Sequence, residues 1–478
     1  MTSIEAHSSV ARSAQSPQHS EPRDPWPAPV AGHALDATVT IPGSKSLSNR
    51  YLILAALGDG PVTISGLLRS RDTDLMADAL RALGVEVSYD EADETRVTVT
   101  PPTSGVFRGG TTVYCGLAGT VMRFVPGLAM FADGPVRFDG DKQAYARPMH
   151  PLLEGLTQLG AHIEYEGSEG FLPFTLTPPV RESVASQAPA QVTIDSSASS
   201  QFISGLLLIG SRLPQGLDLR HNGAKLPSMP HIRMTMADVN AAGGEVAMPE
   251  VGHWIAPHHA LRLPEGVVVE PDLSNAAPFL GAAMIAGGEV RVPNWPASTT
   301  QPGGLLPDIL QRMGAKVTYD GRPYDEAMEA AKLGGDVPRN ATLAVSMDGP
   351  IHGLGTFDLS AAGEITPSIA ALAALADSPS DLEGIGHLRG HETNRLEALV
   401  NEITRIGAGA QERPDGLLIE PKPVGQLHGA VMETYADHRM ATFAAMIGLA
   451  VPGVEIRNIA TTRKTIPDFP GMWHDMLG

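Results

Sequence analysis

The chain has 478 residues, which is enough for two or more domains with sizeable cores. Its formal net charge of -19 argues against nucleic acids and anionic membranes as partners, although a local basic cluster can still bind small anions inside a cleft. The chain has no run of about 18 apolar residues, so the sequence predicts no transmembrane helix. The single cysteine, Cys115, excludes an intramolecular disulfide framework and a multi-cysteine metal site, and it makes a cytoplasmic location the default expectation.

The N-terminal part of the chain changes character after about residue 32. Residues 1–32 are rich in Ser, Pro, His and Ala, which predicts a disordered tail. The stretch 37–41 then alternates like a β-strand, and the apolar run 51–57 is typical of a helix that ends at the glycines 58 and 60.

Between this strand and this helix lies the sequence PGSKSLSNR, residues 42–50. The free N–H groups at a helix start carry a partial positive charge, and Lys45, Arg50 and the serine hydroxyls add to it. The segment therefore predicts a site for a phosphate or a carboxylate. An ordinary serine N-cap with solvated charges is the alternative interpretation.

One pattern recurs along the chain: an apolar helix, a Gly or Pro turn, and an alternating strand. A second helix that ends in glycine follows each of the first five copies, which indicates a repeated βαβαββ unit. Six such units favour an α/β protein of two domains with three units each. The turn and strand parts are GPVTISG (60–66), GPVRFDG (134–140), QGLDLRH (215–221), GGEVRVP (287–293), SDLEGIG (380–386) and PGVEIRN (452–458).

The polar segment before the first helix of each unit is where the chemistry can vary. The first, second, third and sixth segments present hydroxyls, glycines or basic side chains, the fourth is interpreted as structural, and the fifth carries Glu364. The segments are 44–50, 115–123, 195–201, 272–278, 358–368 and 433–440.

Three further polar segments, 146–148, 387–395 and 461–467, add to the predicted anion site. Each alone is typical of a solvated surface. Glu364 and Glu392 are candidates for proton transfer. The cations that the chain offers to one or two anions are Lys45, Arg50, Arg123, Arg147, Arg395, Arg439 and Lys464.

The sequence predicts neither a metal nor a nucleotide cofactor. His387 and His391 stand four residues apart beside Glu392, but there is no HExxH order and Gly390 weakens a helix there. The chain also has no GxGxxG after a strand and no P-loop.

The ordered motifs resemble those of the 5-enolpyruvylshikimate-3-phosphate synthase family from about residue 34 onward. The matching segments are PGSKSLSNR (42–50), LAGTVMR (117–123), ARP (146–148), SSASSQF (196–202), RGHETNRL (389–396), ADHRM (436–440) and RKTIPDFP (463–470). The resemblance implies an inside-out α/β barrel of two domains, 33–43 plus 271–478 and 44–270, with the active site in the cleft between them. It implies transfer of the enolpyruvyl group of phosphoenolpyruvate to the 5-hydroxyl of shikimate 3-phosphate, without a cofactor and by a monomer.

The resemblance also implies roles for individual residues. Glu364 would remove the proton of the 5-hydroxyl, and Lys45 and Glu392 are candidates for protonating the methylene carbon of phosphoenolpyruvate. The expected ligands of shikimate 3-phosphate are Lys45, Ser46, Arg50, Ser199, Ser200, Gln201, Ser228, Glu364 and His391. The expected ligands of phosphoenolpyruvate are Lys45, Gly119, Arg147, Gln201, Arg395, Arg439 and Lys464.

Several positions depart from the family pattern, and two other functions stay open. Many members have Asn at the position of Leu117, Tyr at that of His231 and Asn at that of His387. Many also have Lys at the position of His391 and Asp at that of Glu364. UDP-N-acetylglucosamine enolpyruvyl transferase is one alternative, but the loop 141–147 lacks the Cys usual there. A non-catalytic anion-binding homologue is the other.

Overall fold

A computed structural model describes residues 22–180, 188–226, 228–390 and 392–478. Several helices begin at a side-chain cap: Ser44 accepts from the Leu47 amide, and Asp437 accepts from the Arg439 amide. In the described ranges no helix combines the length and the apolar character needed to cross a bilayer. The helices are α1 Lys45–Leu57, α2 Arg71–Ala82, α3 Gly119–Ala129, α4 His150–Gln158, α5 Gln201–Gly210, α6 Met229–Ala241, α7 Leu273–Ala286, α8 Leu306–Arg312, α9 Tyr324–Lys332, α10 Thr366–Ala374, α11 Arg395–Arg405, α12 His438–Ala450 and α13 Phe469–Leu477.

The strands are short, and several alternate between buried and more exposed positions, as a sheet with one covered face requires. They are β1 Trp26–Pro27, β2 Leu35–Thr38, β3 Val62–Ile64, β4 Glu86–Tyr89, β5 Val97–Thr100, β6 Thr111–Tyr114, β7 Val136–Asp139, β8 His162–Tyr165, β9 Phe174–Thr177, β10 Ala190–Ile194, β11 Leu217–His221, β12 Ala247–Glu250, β13 His253–Ala256, β14 Gly288–Pro296, β15 Lys316–Tyr319, β16 Arg322–Pro323, β17 Asn340–Met347, β18 Gly355–Asp358, β19 Ser380–Glu383, β20 Gly409–Arg413, β21 Gly416–Glu420, β22 Val431–Met432 and β23 Glu455–Ile456.

The predicted βαβαββ unit is present. The second unit runs β6, α3, β7, α4, β8, β9, and its sheet has the order β6-β7-β9-β8. β6 and β7 are parallel and are joined by the crossover helix α3, whereas the other two pairings are antiparallel. The third and fifth units repeat this order as β10-β11-β13-β12 and β18-β19-β21-β20.

Two units obtain their first strand from a distant part of the chain. β2, which the resemblance places in one domain with residues 271–478, pairs in parallel with β14 of the fourth unit. A bridge between Ser65 and Val268 places the segment that follows the third unit beside β3 of the first. The strand was therefore predicted at nearly the right residues, whereas its partner strand was not predicted. The chain passes between the two halves of the molecule at both points.

Residues 22–32, predicted to belong to a disordered tail, are described by the structure. Residues 1–21 lie outside the described residues. The following residues form β1, which pairs antiparallel with β23 and so completes the sheet β1-β23-β22 of the sixth unit. Ala28 is 8% exposed and belongs to an apolar cluster, which explains why this Pro-rich stretch is ordered.

Two apolar clusters form the cores of the two domains. One contains buried residues from Leu47 to Val269, and the other contains residues from Ala28 to Ile41 and from Leu273 to Met476. We propose the boundaries that the resemblance implies, 44–270 for one domain and 33–43 with 271–478 for the other, since the clusters change over at these points.

Candidate active site

A polar cavity of about 200 Å³ lies between the two domains. The segments before the first helix of all six units contribute residues to its wall. The fourth segment, interpreted as structural from its sequence, contributes Asp272 and Ser274. The lining residues are Ser44, Lys45, Ser46, Arg50, Asp72, Gly119, Thr120, Arg123, Arg147, Ala198, Ser199, Ser200, Gln201, Ser228, His231, Met234, Asp272, Ser274, Gln301, Pro302, Glu364, His387, Glu392, His438, Arg439, Lys464 and Thr465.

Lys45 opens α1 and reaches the middle of the site. Its Nζ lies 3.5 Å from Oδ2 of Asp72, a residue on α2 that no motif singled out. Burial lowers the pKa of Lys45, and the positive charge of Lys464 lowers it further, while Asp72 and two glutamates act in the opposite direction. Lys45 is therefore a more acidic ammonium group than an exposed lysine.

Gly119 lets three polar side chains converge at the start of α3. A Cβ atom at this position would lie 2.9 Å from Nη1 of Arg123, 3.0 Å from Nη2 of Arg147 and 3.2 Å from Oε1 of Gln201. Arg123 donates to Gln201 Oε1 over 2.9 Å, and Arg147 donates to the carbonyl of Leu117 over 2.7 Å. Any side chain at 119 would displace these groups or narrow the cavity.

Arg123, which was not among the expected ligands, is almost wholly buried within this group. Burial lowers its pKa to about 9, and the neighbouring charge of Arg147 acts in the same direction. Its Nε is shielded from solvent and has no hydrogen-bond partner in the described ranges. A buried guanidinium with an unused donor favours an anionic ligand.

The facing wall carries a charged network around Glu364. Arg439 Nη2 lies 2.9 Å from Glu364 Oε2, and Arg395 Nη1 lies 3.7 Å from the same oxygen. Arg395 is 1% exposed and is absent from the lining, so the expected phosphoenolpyruvate ligand lies behind the wall. Its Nε pairs with Asp437 over 2.7 Å, and its Nη2 pairs with Glu392 over 3.0 Å.

Glu392 is paired with Lys464 through a short hydrogen bond. Burial acts to raise the pKa of Glu392, but the charges of Lys464, Arg395, His438 and Lys45 outweigh it and hold the pKa well below its usual range. Glu392 is therefore a carboxylate in the unliganded protein.

Histidines also reach the cavity. Burial lowers the pKa of His438 well below its usual range, with the charge of Arg439 acting in the same direction, so its ring is neutral. Burial likewise lowers the pKa of His387. His231 lines the wall beside Ser228. His391, an expected ligand of shikimate 3-phosphate, lies outside the described residues.

The other expected ligands line the cavity: the structure brings Ser46, Arg50, Ser199, Ser200, Gln201 and Ser228 to the wall formed by the 44–270 domain. The described part of the chain has no group of three or more His, Cys, Asp or Glu residues arranged to hold a metal ion. Asp72 and Gln301 were missed, because neither stands in a motif, and Thr120 and Asp272 stand in predicted segments but were not singled out.

The fold and the site define a two-domain α/β enzyme that handles anions in an interdomain cleft. In solved structures the chain resembles EPSP synthase from Acinetobacter baumannii with a TM-score of 0.75 and 22% identity, covering 93% of this chain and 96% of that one. It resembles the enolpyruvyl transferase NikO from Streptomyces tendae with a TM-score of 0.67 and 20% identity, covering 94% and 96%. These two likenesses concern the fold.

The sequence relationship is closer and more specific. The model of the EPSP synthase (3-phosphoshikimate 1-carboxyvinyltransferase) family matches residues 30–473. The 3-phosphoshikimate 1-carboxyvinyltransferase of Bifidobacterium longum strain DJO10A is 65% identical over 453 residues, which cover 95% of this chain and 98% of that protein. The chain belongs to the EPSP synthase family.

Proposed function

We propose that the cleft binds shikimate 3-phosphate and phosphoenolpyruvate through the residues expected from the sequence, with Arg395 in a supporting role. The chain is an enolpyruvyl transferase of the shikimate pathway: it transfers the enolpyruvyl group to the 5-hydroxyl of shikimate 3-phosphate and releases phosphate. The observation that carries the residue assignment is the convergence of all six helix starts on one cavity, with the buried Nε atoms of Arg123 and Arg439 lacking hydrogen-bond partners in the described ranges.

Shikimate 3-phosphate is assigned to the wall formed by the 44–270 domain. Serine hydroxyls, the amide of Gln201 and the guanidinium of Arg50 suit a polyhydroxylated ring that carries a carboxylate and a phosphate. The residues assigned to it are Lys45, Ser46, Arg50, Ser199, Ser200, Gln201 and Ser228, with Glu364 and His391 from the other domain.

Phosphoenolpyruvate carries two to three negative charges and is assigned to the cations that face each other across the cleft. Arg147 and Arg439 offer planar donors that fit a carboxylate or a phosphate in a bidentate manner. Gly119 leaves room for the ligand beside Arg147, and Lys45, Gln201 and Lys464 complete the set. Arg395 is reassigned to holding Glu364, Glu392 and Asp437 in place, since it is buried behind them.

The reaction needs one acid and one base in the addition step. Glu364 takes the proton of the 5-hydroxyl as its oxygen attacks the central carbon of phosphoenolpyruvate, and an acid delivers a proton to the methylene carbon. Lys45 is the better candidate acid, because burial lowers its pKa while Glu392 is already ionised. Elimination then removes a proton from the new methyl group and expels phosphate, and the ionised Glu392 is suited to accept that proton.

The test is whether phosphate release from phosphoenolpyruvate requires shikimate 3-phosphate. Purified protein is given phosphoenolpyruvate with shikimate 3-phosphate, with UDP-N-acetylglucosamine, or with neither, and phosphate is followed. Phosphate release that occurs with shikimate 3-phosphate, and not with UDP-N-acetylglucosamine or without an acceptor, supports the assignment. Turnover only with the nucleotide sugar would favour the sister enzyme, and binding without turnover would favour a non-catalytic homologue.

A monomer in the cytoplasm completes the proposal. The cleft takes residues from both domains of one chain, so a second copy is not needed to build the site. Light scattering coupled to size exclusion should give the mass of one chain, about 50 kDa, and cell fractionation should recover the protein in the cytoplasmic fraction.

A further inference from the structure

Arg50 lines the cavity but is only 2% exposed. Its Nε donates to Thr235 Oγ1 over 2.8 Å, its Nη1 to the carbonyl of Ser46 over 2.9 Å, and its Nη2 to the carbonyl of His231 over 3.2 Å. A guanidinium carries five N–H groups, so these three bonds leave two for a ligand. Burial lowers the pKa of Arg50 to about 10, which still leaves it charged at neutral pH.

Asp238, on α6, supplies the countercharge beneath this arginine. Its Oδ2 lies 4.0 Å from Arg50 Nε, is shielded from solvent, and has no hydrogen-bond partner in the described ranges. The pair therefore interacts through charge alone at this oxygen. A buried carboxylate oxygen without a hydrogen bond is costly, and neutralisation by a proton removes that cost.

The surroundings of Asp238 contain one cation and several other titratable groups. Arg50 and Tyr51 face it from α1, and Glu270 acts on it from the segment before α7. Burial raises the pKa of Asp238 to about 7; Arg50 lowers it and Glu270 raises it. Burial also raises the pKa of Tyr51, so its hydroxyl stays neutral.

We propose that Asp238 is a positioning residue of the acceptor site, which acts through Arg50: its negative charge competes with the anionic group of the acceptor, and it takes up a proton from solvent when the acceptor binds. This inference rests on the proposed function, since it takes shikimate 3-phosphate as the anion that meets Arg50. An anion on the cavity side adds negative charge near the ionised carboxylate. The protonated form of Asp238 is therefore favoured in the complex.

The linkage predicts how affinity changes with pH. Below pH 6 Asp238 is mostly neutral already, and the acceptor meets the full charge of Arg50. Above pH 8 Asp238 is ionised, and its negative charge partly offsets the positive charge of Arg50. The acceptor then binds more weakly, or it binds with uptake of a proton by Asp238. The Asp238 carboxylate and the anionic group of the acceptor are taken to be about 8 Å apart, with an effective dielectric constant of 20 to 40. Their repulsion then lowers the affinity for the acceptor by roughly 5- to 30-fold.

The experiment is calorimetry of shikimate 3-phosphate binding to the wild-type protein and to Asp238→Asn, in buffers of different ionisation enthalpy. At pH 7 the wild-type protein should take up more protons on binding than the variant. At pH 8.5 Asp238→Asn should bind roughly 5- to 30-fold more tightly than wild type, and at pH 5.5 the two affinities should be equal. His231→Gln serves as a matched control, because His231 is a titratable residue of α6 that lines the cavity, whereas Asp238 does not line it and lies beneath Arg50.

Equal proton uptake by wild type and Asp238→Asn would overturn the inference, and so would loss of the uptake in His231→Gln alone. Asp238→Leu, checked by circular dichroism, replaces the Asn variant if that variant does not fold. An uptake in wild type no larger than that of the ligand phosphate itself, at every pH, also overturns it. A wild-type protein that gives no binding heat with shikimate 3-phosphate at any pH would instead contradict the proposed function.

Discussion

At the residue scale, Glu364 is the acid on which the proposed chemistry depends most. Glu364→Gln keeps the shape of the side chain but cannot accept a proton, so kcat should fall by about 10²- to 10⁴-fold. Affinity for shikimate 3-phosphate should change little. Steady-state kinetics and calorimetry measure the two effects, with the exposed Glu383→Gln as a control for the loss of one carboxylate. A variant that kept more than about a tenth of wild-type kcat would move the base to another group.

The division of the cations between the two substrates is a second residue-scale prediction. Arg147→Ala or Arg439→Ala should weaken phosphoenolpyruvate by roughly 2–4 kcal/mol, the scale for losing a buried charge-assisted interaction. Binding of shikimate 3-phosphate alone should be nearly unchanged. Arg137→Ala is the matched control, since Arg137 forms surface ion pairs with Glu166 and Asp139. Equal losses for both ligands, measured by calorimetry, would refute the division.

Cys115 is predicted to be dispensable for chemistry. It is fully buried in the core of the 44–270 domain, and burial raises the pKa of its thiol, so little thiolate forms at neutral pH. Cys115→Ser should lower the melting temperature, because it buries a hydroxyl, while kcat stays within about threefold of wild type. Fosfomycin should not inactivate the native protein; inactivation with a mass increase on Cys115 would contradict this.

Much of the site was predictable because its residues belong to motifs, but their partners were not. Lys45, Gln201 and Arg439 stand in ordered segments that recur in one family. Asp72 and Asp238 are single acids on helices, and only the packing of distant segments brings them to Lys45 and Arg50. The resemblance implied that Arg395 contacts phosphoenolpyruvate, and this stays a prediction, since the side chain is buried against Glu392 and Asp437.

At the element scale, the loop before α12 is held in a strained conformation beside the site. Tyr435 and Ala436 both have positive φ values, 53° and 56°, which cost non-glycine residues energy. Glu402, on α11 and fully buried, accepts from the Tyr435 hydroxyl over 2.8 Å and from the Glu433 amide over 3.2 Å. α11 therefore fixes the loop that leads into α12 and Arg439.

Glu402→Ala should release this loop. The variant leaves two half-buried donors without their acceptor, so the free energy of unfolding should fall by about 1–3 kcal/mol. The KM for phosphoenolpyruvate should rise, because Arg439 loses its fixed position, whereas affinity for shikimate 3-phosphate alone should stay the same. Denaturant unfolding and kinetics measure these effects, with Glu397→Ala at the exposed start of α11 as the control. A stability loss with unchanged KM would show that the loop does not depend on this contact.

Elements were easier to predict than their pairing. The pattern of residues 37–41 indicated a strand, and a strand is present at Leu35–Thr38. Its partner could not be predicted, because alternation in one segment records which face is buried and not which sheet is joined. β2 pairs with β14 because of the two points at which the chain passes from one domain to the other.

At the scale of the whole molecule, repetition made the architecture predictable. Six copies of one sequence pattern predicted six βαβαββ units, and the described residues form six sheets, one for each unit. The second helix was predicted for the first five units only, and the sheet of the sixth unit is completed by β1, from the N-terminal part of the chain. A sequence repeat cannot reveal a strand contributed from hundreds of residues away, particularly one that is only two residues long and contains a proline.

This N-terminal strand gives a whole-molecule prediction that local sequence would not suggest. Gly448 on α12 packs against the N-terminal segment so closely that a Cβ atom there would lie 2.4 Å from Cβ of Ala28. Gly448→Ala should improve the intrinsic helix propensity of α12, which by itself would stabilise the protein by about 1 kcal/mol. The clash should outweigh this gain, because displacing the segment also breaks the bond from the Asn458 amide to Asp24 and uncovers apolar surface. The free energy of unfolding should therefore fall by about 1–3 kcal/mol.

Gly425→Ala, where a Cβ atom would meet no atom within 4 Å, is the control and should be neutral. A Gly448→Ala protein more stable than wild type in urea would show that the N-terminal strand adds nothing to the sixth unit.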